Sequence, residues 1–250
     1  MVTGGGRGIG AATARELARL GADLTLMGRT LDVLEAVASE VRECCNVRTR
    51  GLVVDVTDEA AVRGAFDAAR ESFGPPLVLV NNAGIAGSAP FKRMDLAHWR
   101  QMLDVNATGT FLCTRQVVDG MAAAGWGRIV NIASVAALRG YAYVAAYAAS
   151  KHAVLGLTRS LALELATTGV TVNAVCPGYT QSDMLERTVD NIVAKTGRTE
   201  AEARAELSQW NPQARFVQPE EVAATVGWLC LPESASIKGQ AIAVAGGEVM

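Results

Sequence analysis

Short apolar runs rich in β-branched residues recur along the chain, and each is followed by a longer stretch with helical periodicity. The runs begin at Ala22, Arg50, Pro76, Gly127, Gly169 and Gly239. Nearly continuous apolar runs of this length are typical of strands buried on both faces of a parallel sheet.

Apolar positions three and four residues apart predict the helices that separate these strands. The predicted helices span residues 8–20, 31–41, 59–73, 99–124, 144–166 and 220–231. Alternation of strand and helix over the whole chain predicts βαβ units and therefore an α/β fold, a doubly wound parallel sheet between two layers of helices. We find no internal linker, repeat or low-complexity segment, so residues 1–250 are predicted to form a single three-layer α/β/α domain.

A glycine-rich turn, TGGGRGIG, lies between the first strand and the first predicted helix. Only two residues precede it, so the first strand is abbreviated or the natural chain starts upstream. Gly4 permits a tight turn, Gly8 lets the backbone approach a pyrophosphate, and Gly10 allows close packing of helix on strand. The helix N-terminus favours phosphate charge, so the pattern predicts nucleotide binding, with a purely structural turn as the alternative.

The residue after the second strand indicates which dinucleotide is bound. An NAD site usually places Asp or Glu there to accept a hydrogen bond from the ribose 2′-hydroxyl. This chain has Arg29, whose guanidinium can pair with the 2′-phosphate of NADP, and Arg7 in the glycine turn could reach the same phosphate. The alternative is that both are solvated surface arginines.

Tyr147 and Lys151 lie four residues apart in a predicted helix, so their side chains share one face. A free phenol titrates near about 10 and a free lysine near about 10.4, outside the range useful for proton transfer at neutral pH. A cation held about 4 Å away could favour the phenolate by up to ~4 kcal/mol at an effective dielectric near 20. The spacing therefore suits general acid–base chemistry, although by itself it also fits a chance pair on a surface helix.

Composition and charge exclude several functional classes. A chain of 250 residues, 50% hydrophobic, can bury a large core, and a net charge of −2 argues against a nucleic-acid binder. We find no apolar run long enough for a membrane span and no signal peptide, which predicts a cytoplasmic protein. The five cysteines have no metal-ligand spacing, so we predict reduced thiols and no metal site.

In combination and in order, the motifs resemble those of the short-chain dehydrogenase/reductase family, in its short single-domain branch. The resemblance covers the whole chain and rests on TGGGRGIG, Asp55–Val56, NNAG at 81–84, Asn106, Ser134 in NIAS, YAASK and Pro177–Gly178. It implies a Rossmann fold and an NADP(H)-dependent oxidoreductase that transfers hydride between nicotinamide and a ketone or secondary alcohol.

The resemblance also implies a role for each catalytic residue. Tyr147 would protonate the carbonyl oxygen during reduction, and Lys151 would lower the pKa of that phenol and bind the nicotinamide ribose. Ser134 would donate to the substrate oxygen, and two hydroxyl donors stabilise the charge that develops there. Asn106 would hold a water that links Lys151 to solvent. Taken singly, Ser134 also fits a strand-end turn and Asn106 a polar contact within a helix.

A set of cofactor-binding residues follows from the same resemblance. Asp55 would accept from the adenine amino group, and Ser182 stands where the family often has threonine. The C-terminal AGG at 245–247 replaces a frequent Asp-Gly-Gly, which leaves an acidic contact there in doubt. The full set is Thr3, Gly4, Arg7, Gly8, Ile9, Gly10, Arg29, Asp55, Val56, Asn82, Ala83, Gly84, Tyr147, Lys151, Pro177, Gly178, Thr180 and Ser182.

Residues 181–216 are predicted to form a lid over the substrate. The stretch RTEAEARAELSQW within it is predicted to be an amphipathic helix with Ala203 and Leu207 on one side. A lid of this style resembles those of 3-oxoacyl-thioester reductases, polyketide ketoreductases and 3-hydroxybutyrate dehydrogenases. The alternative is a surface insertion that never touches the substrate.

A 3-oxoacyl thioester or a similar ketone is the substrate that this resemblance favours. One alternative is an NAD-dependent dehydrogenase of the 3-hydroxybutyrate type, which Arg29 disfavours. The other is a non-catalytic NADP-binding sensor or scaffold, which the complete catalytic set argues against. A sugar-nucleotide epimerase or dehydratase would need a longer chain.

The helices predicted over residues 99–124 and 144–166 are apolar on more than one face. A helix that packs on its own sheet and is still apolar on the other side usually has a partner. We therefore predict a homotetramer in which these helices pair across a two-fold axis, as the family resemblance also suggests.

Overall fold

Seven parallel strands form one sheet in a computed structural model that describes all 250 residues. The strands are β1 (Val2–Thr3), β2 (Leu24–Gly28), β3 (Thr49–Val53), β4 (Val78–Asn81), β5 (Gly127–Ile132), β6 (Val170–Pro177) and β7 (Ala241–Val244). Their order across the sheet is β3-β2-β1-β4-β5-β6-β7. The order reverses direction between β1 and β4, and such a switch point is where ligands bind in open α/β sheets.

Helices cover both faces of this sheet, which confirms the doubly wound fold. They are α1 (Gly8–Arg19), α2 (Leu31–Cys45), α3 (Glu59–Phe73), α4 (Leu96–Leu103), α5 (Gly109–Arg115), α6 (Val118–Ala123), α7 (Ala145–Glu164), α8 (Asp183–Thr196), α9 (Glu200–Ser208) and α10 (Pro219–Cys230). Side chains of α1, α2 and α10 form one apolar core with the sheet, and those of α3, α5 and α7 form the other. No helix has the length and apolar character needed to cross a membrane.

The single helix predicted over residues 99–124 is wrong. A π-helical turn at Asp104–Thr108 separates α4 from α5, and a further break precedes α6. Asn106 lies in the π turn, where its side chain bonds to the backbone of Ile85 and to Ser150. Since these partners are distant in sequence, helical periodicity cannot reveal the break.

Residues 181–216 contain two helices, α8 and α9, which pack on each other. The predicted helix with Ala203 and Leu207 on one side is present, and both side chains are buried with Leu185 and Val189 in a small apolar cluster. A capping box between Thr199 and Glu202 starts α9. This segment therefore has its own core and rests against the main domain.

Candidate active site

The glycine turn joins the end of β1 to the start of α1 at the switch point of the sheet. Gly4 and Gly8 have φ values of +63° and +49°, which favour glycine, and a Cβ on Gly10 would lie 2.1 Å from the Gly4 oxygen. Arg7, the N-cap of α1, makes no side-chain capping bond, so no side chain caps the first N–H groups of the helix. Exposed N–H groups at a helix N-terminus suit the phosphates of a dinucleotide.

The segment 81–84 fixes the shape of this turn. The Thr3 hydroxyl accepts hydrogen bonds from the backbone N–H groups of Asn82 (3.0 Å) and Ala83 (2.9 Å). In return the Asn82 amide donates to the carbonyl oxygens of Thr3 (3.0 Å) and Gly4 (3.1 Å). Thr3, Asn82 and Ala83 therefore hold the glycine turn against β4, whatever contacts they also make with a cofactor.

Ser134, Tyr147 and Lys151 come together beyond the ends of β5 and β6. Ser134 lies two residues after the end of β5, and its hydroxyl accepts a hydrogen bond from the Ala136 N–H at 3.1 Å. Tyr147 and Lys151 lie one turn apart on α7, with the ammonium 5.8 Å from the centroid of the tyrosine ring. The Lys151 ammonium is buried and donates to the Ile132 carbonyl oxygen at 2.9 Å.

Burial dominates the electrostatics of these groups. It raises the pKa of the Tyr147 phenol, against an opposing contribution from a hydrogen bond with Ser134, and it lowers the pKa of Lys151 to about 8. The Lys151 ammonium, which is bonded to the Ile132 carbonyl, is not among the groups that shift the Tyr147 pKa in this structure, so the lowering of that pKa by Lys151 stays a prediction. The phenol is therefore protonated at neutral pH, the form that a general acid requires.

Asn106 holds the chain beside Lys151 in place. Its amide nitrogen donates to the Ile85 carbonyl (3.0 Å) and to the Ser150 hydroxyl (2.9 Å), while its oxygen accepts from the Ile85 N–H (2.8 Å). A Cβ on Gly84 would lie 3.1 Å from the Asn106 oxygen and 3.4 Å from the Lys151 ammonium. The side chain thus positions the 84–85 backbone next to Lys151, and the role of holding a water stays a prediction.

Arg29 and Arg7 have different surroundings. Arg29 is exposed just after β2, forms no ion pair, and lies near Asp55. The pKa of that carboxyl is lowered mainly by hydrogen bonds from Thr57, with a smaller contribution from Arg29. Arg7 instead pairs with Asp183 at 2.9 Å, at the start of α8. Arg29 is therefore free to meet a 2′-phosphate, whereas Arg7 is directed at the start of α8.

The chain after β6 brings residues 181–216 to the glycine turn. The Gly178 N–H bonds to the Val244 carbonyl at 3.0 Å, and Thr180 forms a bridge to Val217. Ser182 caps α8, and its Cβ would lie 3.3 Å from a Cβ on Gly8. The side chain of Ser182 thus lies beside Gly8, where the glycine turn leads into α1. Of the remaining predicted positions, Ile9 and Val56 pack into the two cores and Pro177 ends β6.

Sequence reasoning missed four residues near this site. Tyr141 donates a hydrogen bond to the Glu248 carboxylate at 2.5 Å, and its ring packs edge-on against Trp210 with centroids 5.7 Å apart. Tyr179 lies near both Glu248 and Tyr147, since each contributes to its raised pKa after the larger effect of burial. The sequence offers one signal for these residues. Glu248 is a carboxylate that directly follows the AGG at 245–247, in which alanine stands where the family frequently has aspartate.

Comparison with known proteins places this arrangement in a family. The model of the short chain dehydrogenase family matches residues 1–193. The chain belongs to the short-chain dehydrogenase family. It is similar to the 3-oxoacyl-[acyl-carrier-protein] reductase FabG of Aquifex aeolicus, with 37% identity over 99% of this chain and 95% of the relative.

Two further relatives are similar to the chain over nearly its whole length. The D-beta-hydroxybutyrate dehydrogenase of Rhizobium meliloti is 32% identical over 99% of this chain and 96% of its own. The crystal structure of an actinorhodin polyketide ketoreductase variant with NADPH superposes with a TM-score of 0.95 at 38% identity, covering 99% of this chain and 95% of that one. Both likenesses extend over residues 181–216 as well as the sheet.

Proposed function

We propose that this protein is an NADP(H)-dependent reductase that converts a ketone into a secondary alcohol, with a 3-oxoacyl thioester or a similar ketone as substrate. The observation that carries the proposal is the convergence of Ser134, Tyr147 and Lys151 beside an uncapped helix N-terminus and an unpaired Arg29. The likeness to a FabG protein and to a polyketide ketoreductase crystallised with NADPH supports the same reaction.

The residues present fit a dinucleotide. The N–H groups at the start of α1 would bind the pyrophosphate, Arg29 the 2′-phosphate, and the Asp55 carboxylate the adenine amino group. Lys151 would bind the ribose next to the nicotinamide. NADPH supplies the hydride when it is bound, and the protein supplies orientation and protons.

The proton comes from Tyr147 in this proposal. The neutral phenol would donate to the substrate oxygen as negative charge develops on it, and the Ser134 hydroxyl would donate a second hydrogen bond to the same atom. The positive charge of Lys151 would then stabilise the phenolate that remains, because a nearby cation favours the charged form of an acid.

Residues 181–216 would act as the substrate lid within the single domain 1–250. The Asn191 amide donates to the Ser88 hydroxyl at 3.1 Å, across the cleft from α8 to the loop after β4. Arg7 and Asp183 link the other end of α8 to the glycine turn. These contacts support a lid that closes over substrate and cofactor together.

A ketone screen tests the proposal. NADPH and NADH oxidation would be followed at 340 nm with 3-oxoacyl thioesters, cyclic ketones and 3-oxobutanoate, with Tyr147→Phe as the negative control. We expect NADPH oxidation with at least one 3-oxo or cyclic ketone. NADH-dependent turnover of 3-oxobutanoate alone would favour the 3-hydroxybutyrate type, and no turnover with NADPH bound would favour a sensor.

We also propose a cytoplasmic homotetramer. Phe111 on α5 and Leu163 on α7 are 44% and 80% exposed, respectively, which leaves apolar side chains on the outer faces of these helices. Five free cysteines fit a reducing compartment. Light scattering at micromolar concentration is expected to give four times the chain mass, and Leu163→Glu is expected to lower it. A monomeric wild type would contradict the assembly.

A further inference from the structure

One ion pair joins the glycine turn to the segment 181–216. The Arg7 guanidinium donates a hydrogen bond from Nη1 to the Asp183 Oδ2 atom at 2.9 Å. This is the one side-chain hydrogen bond that Arg7 makes, so its other N–H groups have no protein partner. The two side chains are 60% and 53% exposed, so a ligand bound at the glycine turn can reach both of them.

Arg7 is also the charged residue of the glycine turn itself. It is the N-cap of α1, where no side chain caps the first N–H groups, and it directly precedes Gly8. Uncapped N–H groups and the helix dipole favour a phosphate at this point, and a guanidinium can bind a phosphate in a bidentate way. The N–H groups on Nε and Nη2, which Asp183 leaves free, are available for such a contact.

Asp183 belongs to a helix whose start lies beside this turn. It is the first residue of α8, and the Cβ of the N-cap Ser182 is 3.3 Å from where a Cβ on Gly8 would lie. The pair with Arg7 is the one hydrogen bond and the one ion pair that the Asp183 carboxylate makes. Asp183 therefore fixes the direction of Arg7 relative to the starts of both α1 and α8.

We propose that Asp183 is a positioning residue that directs Arg7 at the 2′-phosphate of NADP(H) and links the bound cofactor to the start of α8. A free arginine side chain has many rotamers in water, and ordering it costs free energy when a ligand binds. The pair with Asp183 supplies part of that order in advance. The inference rests on the proposed function, because it concerns the cofactor of that reaction. Asp183 takes no part in the transfer of hydride or proton.

The carboxylate of Asp183 also repels a phosphate, which gives an expectation of the opposite sign. This repulsion acts across the width of the guanidinium, and water and salt screen it because both side chains are exposed. The hydrogen bond that orients Arg7 acts at contact distance. We therefore expect that loss of the Asp183 charge weakens the binding of NADP+, whereas dominant repulsion would tighten it.

NADP+ and NAD+ differ only in the 2′-phosphate, so the ratio of their dissociation constants measures this contact without any turnover. Isothermal titration calorimetry on the whole protein gives both constants. Asp183→Asn keeps the shape of the side chain and is expected to weaken NADP+ about two- to fivefold, the scale of an exposed ion pair, with NAD+ nearly unchanged. Asp190→Asn, at an exposed aspartate on α8 without a partner, is the matched control and should change neither constant.

A double-mutant cycle separates positioning from a purely structural role of Asp183. Arg7→Gln removes the guanidinium, so adding Asp183→Asn to that variant is expected to cause no further weakening of NADP+. If Asp183 acted only by stabilising α8, the weakening would persist without Arg7. Asp183→Glu keeps the charge and is expected to bind NADP+ within about twofold of the wild type.

Hydrogen exchange at the start of α8 reports the link between the cofactor and this helix. The amides of residues 185–190 are expected to exchange more slowly with saturating NADP+ than with saturating NAD+, and Asp183→Asn should remove most of that difference. Equal exchange with the two cofactors in the wild type would overturn the link.

Unchanged or tighter binding of NADP+ by Asp183→Asn, or a weakening that persists without Arg7, would overturn the positioning role. Reduction of a ketone by the wild type would then still support the proposed function. The expected changes in binding, together with no reduction of any ketone, would support the inference and count against the proposed function.

Discussion

The floor of the proposed active site and the lid above it are held by different kinds of contact. Floor residues such as Asn106 and Lys151 are buried and make hydrogen bonds to backbone atoms of neighbouring segments. Residues 181–216, the proposed lid, contact the glycine turn through the Arg7–Asp183 pair, whose side chains are 60% and 53% exposed, and the loop after β4 through the partly buried bond of Asn191 to Ser88. Removing one partner of a buried hydrogen bond typically costs about 1–3 kcal/mol, whereas an exposed ion pair contributes about 0–1 kcal/mol.

This difference in contacts assigns the chemical step to the floor and the selection of the substrate to the proposed lid. A floor fixed by buried bonds keeps the phenol, serine and ammonium in one arrangement whichever substrate enters. A lid held by weak contacts can open and close at little energetic cost, and its contacts can vary without harm to the fold. Changes in the floor should therefore lower kcat, and changes in the lid should mainly alter KM and selectivity.

Loss of the Tyr147 hydroxyl is expected to have the largest effect. Tyr147→Phe should lower kcat at least about 100-fold, the scale of a lost general acid, with little change in cofactor affinity. Tyr143, which is 66% exposed on the same loop–helix segment, provides the control, and Tyr143→Phe should retain activity. Near-normal turnover of Tyr147→Phe would remove the phenol from the mechanism.

Arg29→Asp tests how the site selects between NADPH and NADH. The new carboxylate repels a 2′-phosphate and accepts from a 2′-hydroxyl, so kcat/KM for NADPH should fall about 10- to 100-fold while that for NADH rises. Arg63→Asp makes the same charge change at an exposed arginine on α3 and should leave the ratio unchanged. Equal efficiency of the wild type with both cofactors would mean that Arg29 does not meet the phosphate.

Because Lys151 is buried, we expect its positive charge to lower the free energy of unfolding in a pH-dependent way. Its folded-state pKa of about 8 lies below the ordinary value of 10.5, so between these values the unfolded chain binds more protons and the wild type gains stability as pH rises. Lys151→Met should therefore be more stable than wild type by about 1–3 kcal/mol at pH 7, with the gap closing between pH 8 and pH 10. Urea unfolding at pH 7 and pH 9.5 measures this, and a gap independent of pH would show that the ammonium is well solvated.

The smallest effect is expected in the lid. Asn191→Ala removes the bond to Ser88 and should raise KM for the ketone about two- to fivefold, with kcat nearly unchanged, because one partly buried hydrogen bond contributes about 0.5–1 kcal/mol. Asp190→Ala, at an exposed neighbour on α8 with no partner, is the control. A large loss of kcat in Asn191→Ala would mean that the lid takes part in arranging the floor.

Much of the fold could be predicted from the sequence because its signals are local. Buried strands and amphipathic helices follow from periodicity, and their alternation leads to the doubly wound sheet. The π turn at Asp104–Thr108 could not be predicted, because it depends on bonds from Asn106 to Ile85 and Ser150 across the site. Contacts of this kind exist only after the segments have packed.

The candidate site likewise contains residues that the sequence could predict and residues that it could not. Tyr147 and Lys151 are neighbours on one helix, and the glycine turn is continuous, so both have sequence signatures. Glu248 and Tyr141 are 107 positions apart, and Glu248 has no recognisable motif. The ion pair of Arg7 with Asp183 could likewise not be predicted from the sequence, since it depends on where residues 181–216 pack.

The central claim is that hydride passes from the nicotinamide to a ketone held at Ser134 and Tyr147. Its most direct test is a single turnover with NADPH deuterated at C4 of the nicotinamide, in ordinary water, followed by mass spectrometry and NMR of the alcohol. We expect one deuterium on the carbinol carbon with the wild type, and at least about 100-fold slower formation of the same labelled product with Tyr147→Phe. An alcohol whose carbinol hydrogen comes from solvent, or no alcohol at all with every ketone of the screen, would contradict it.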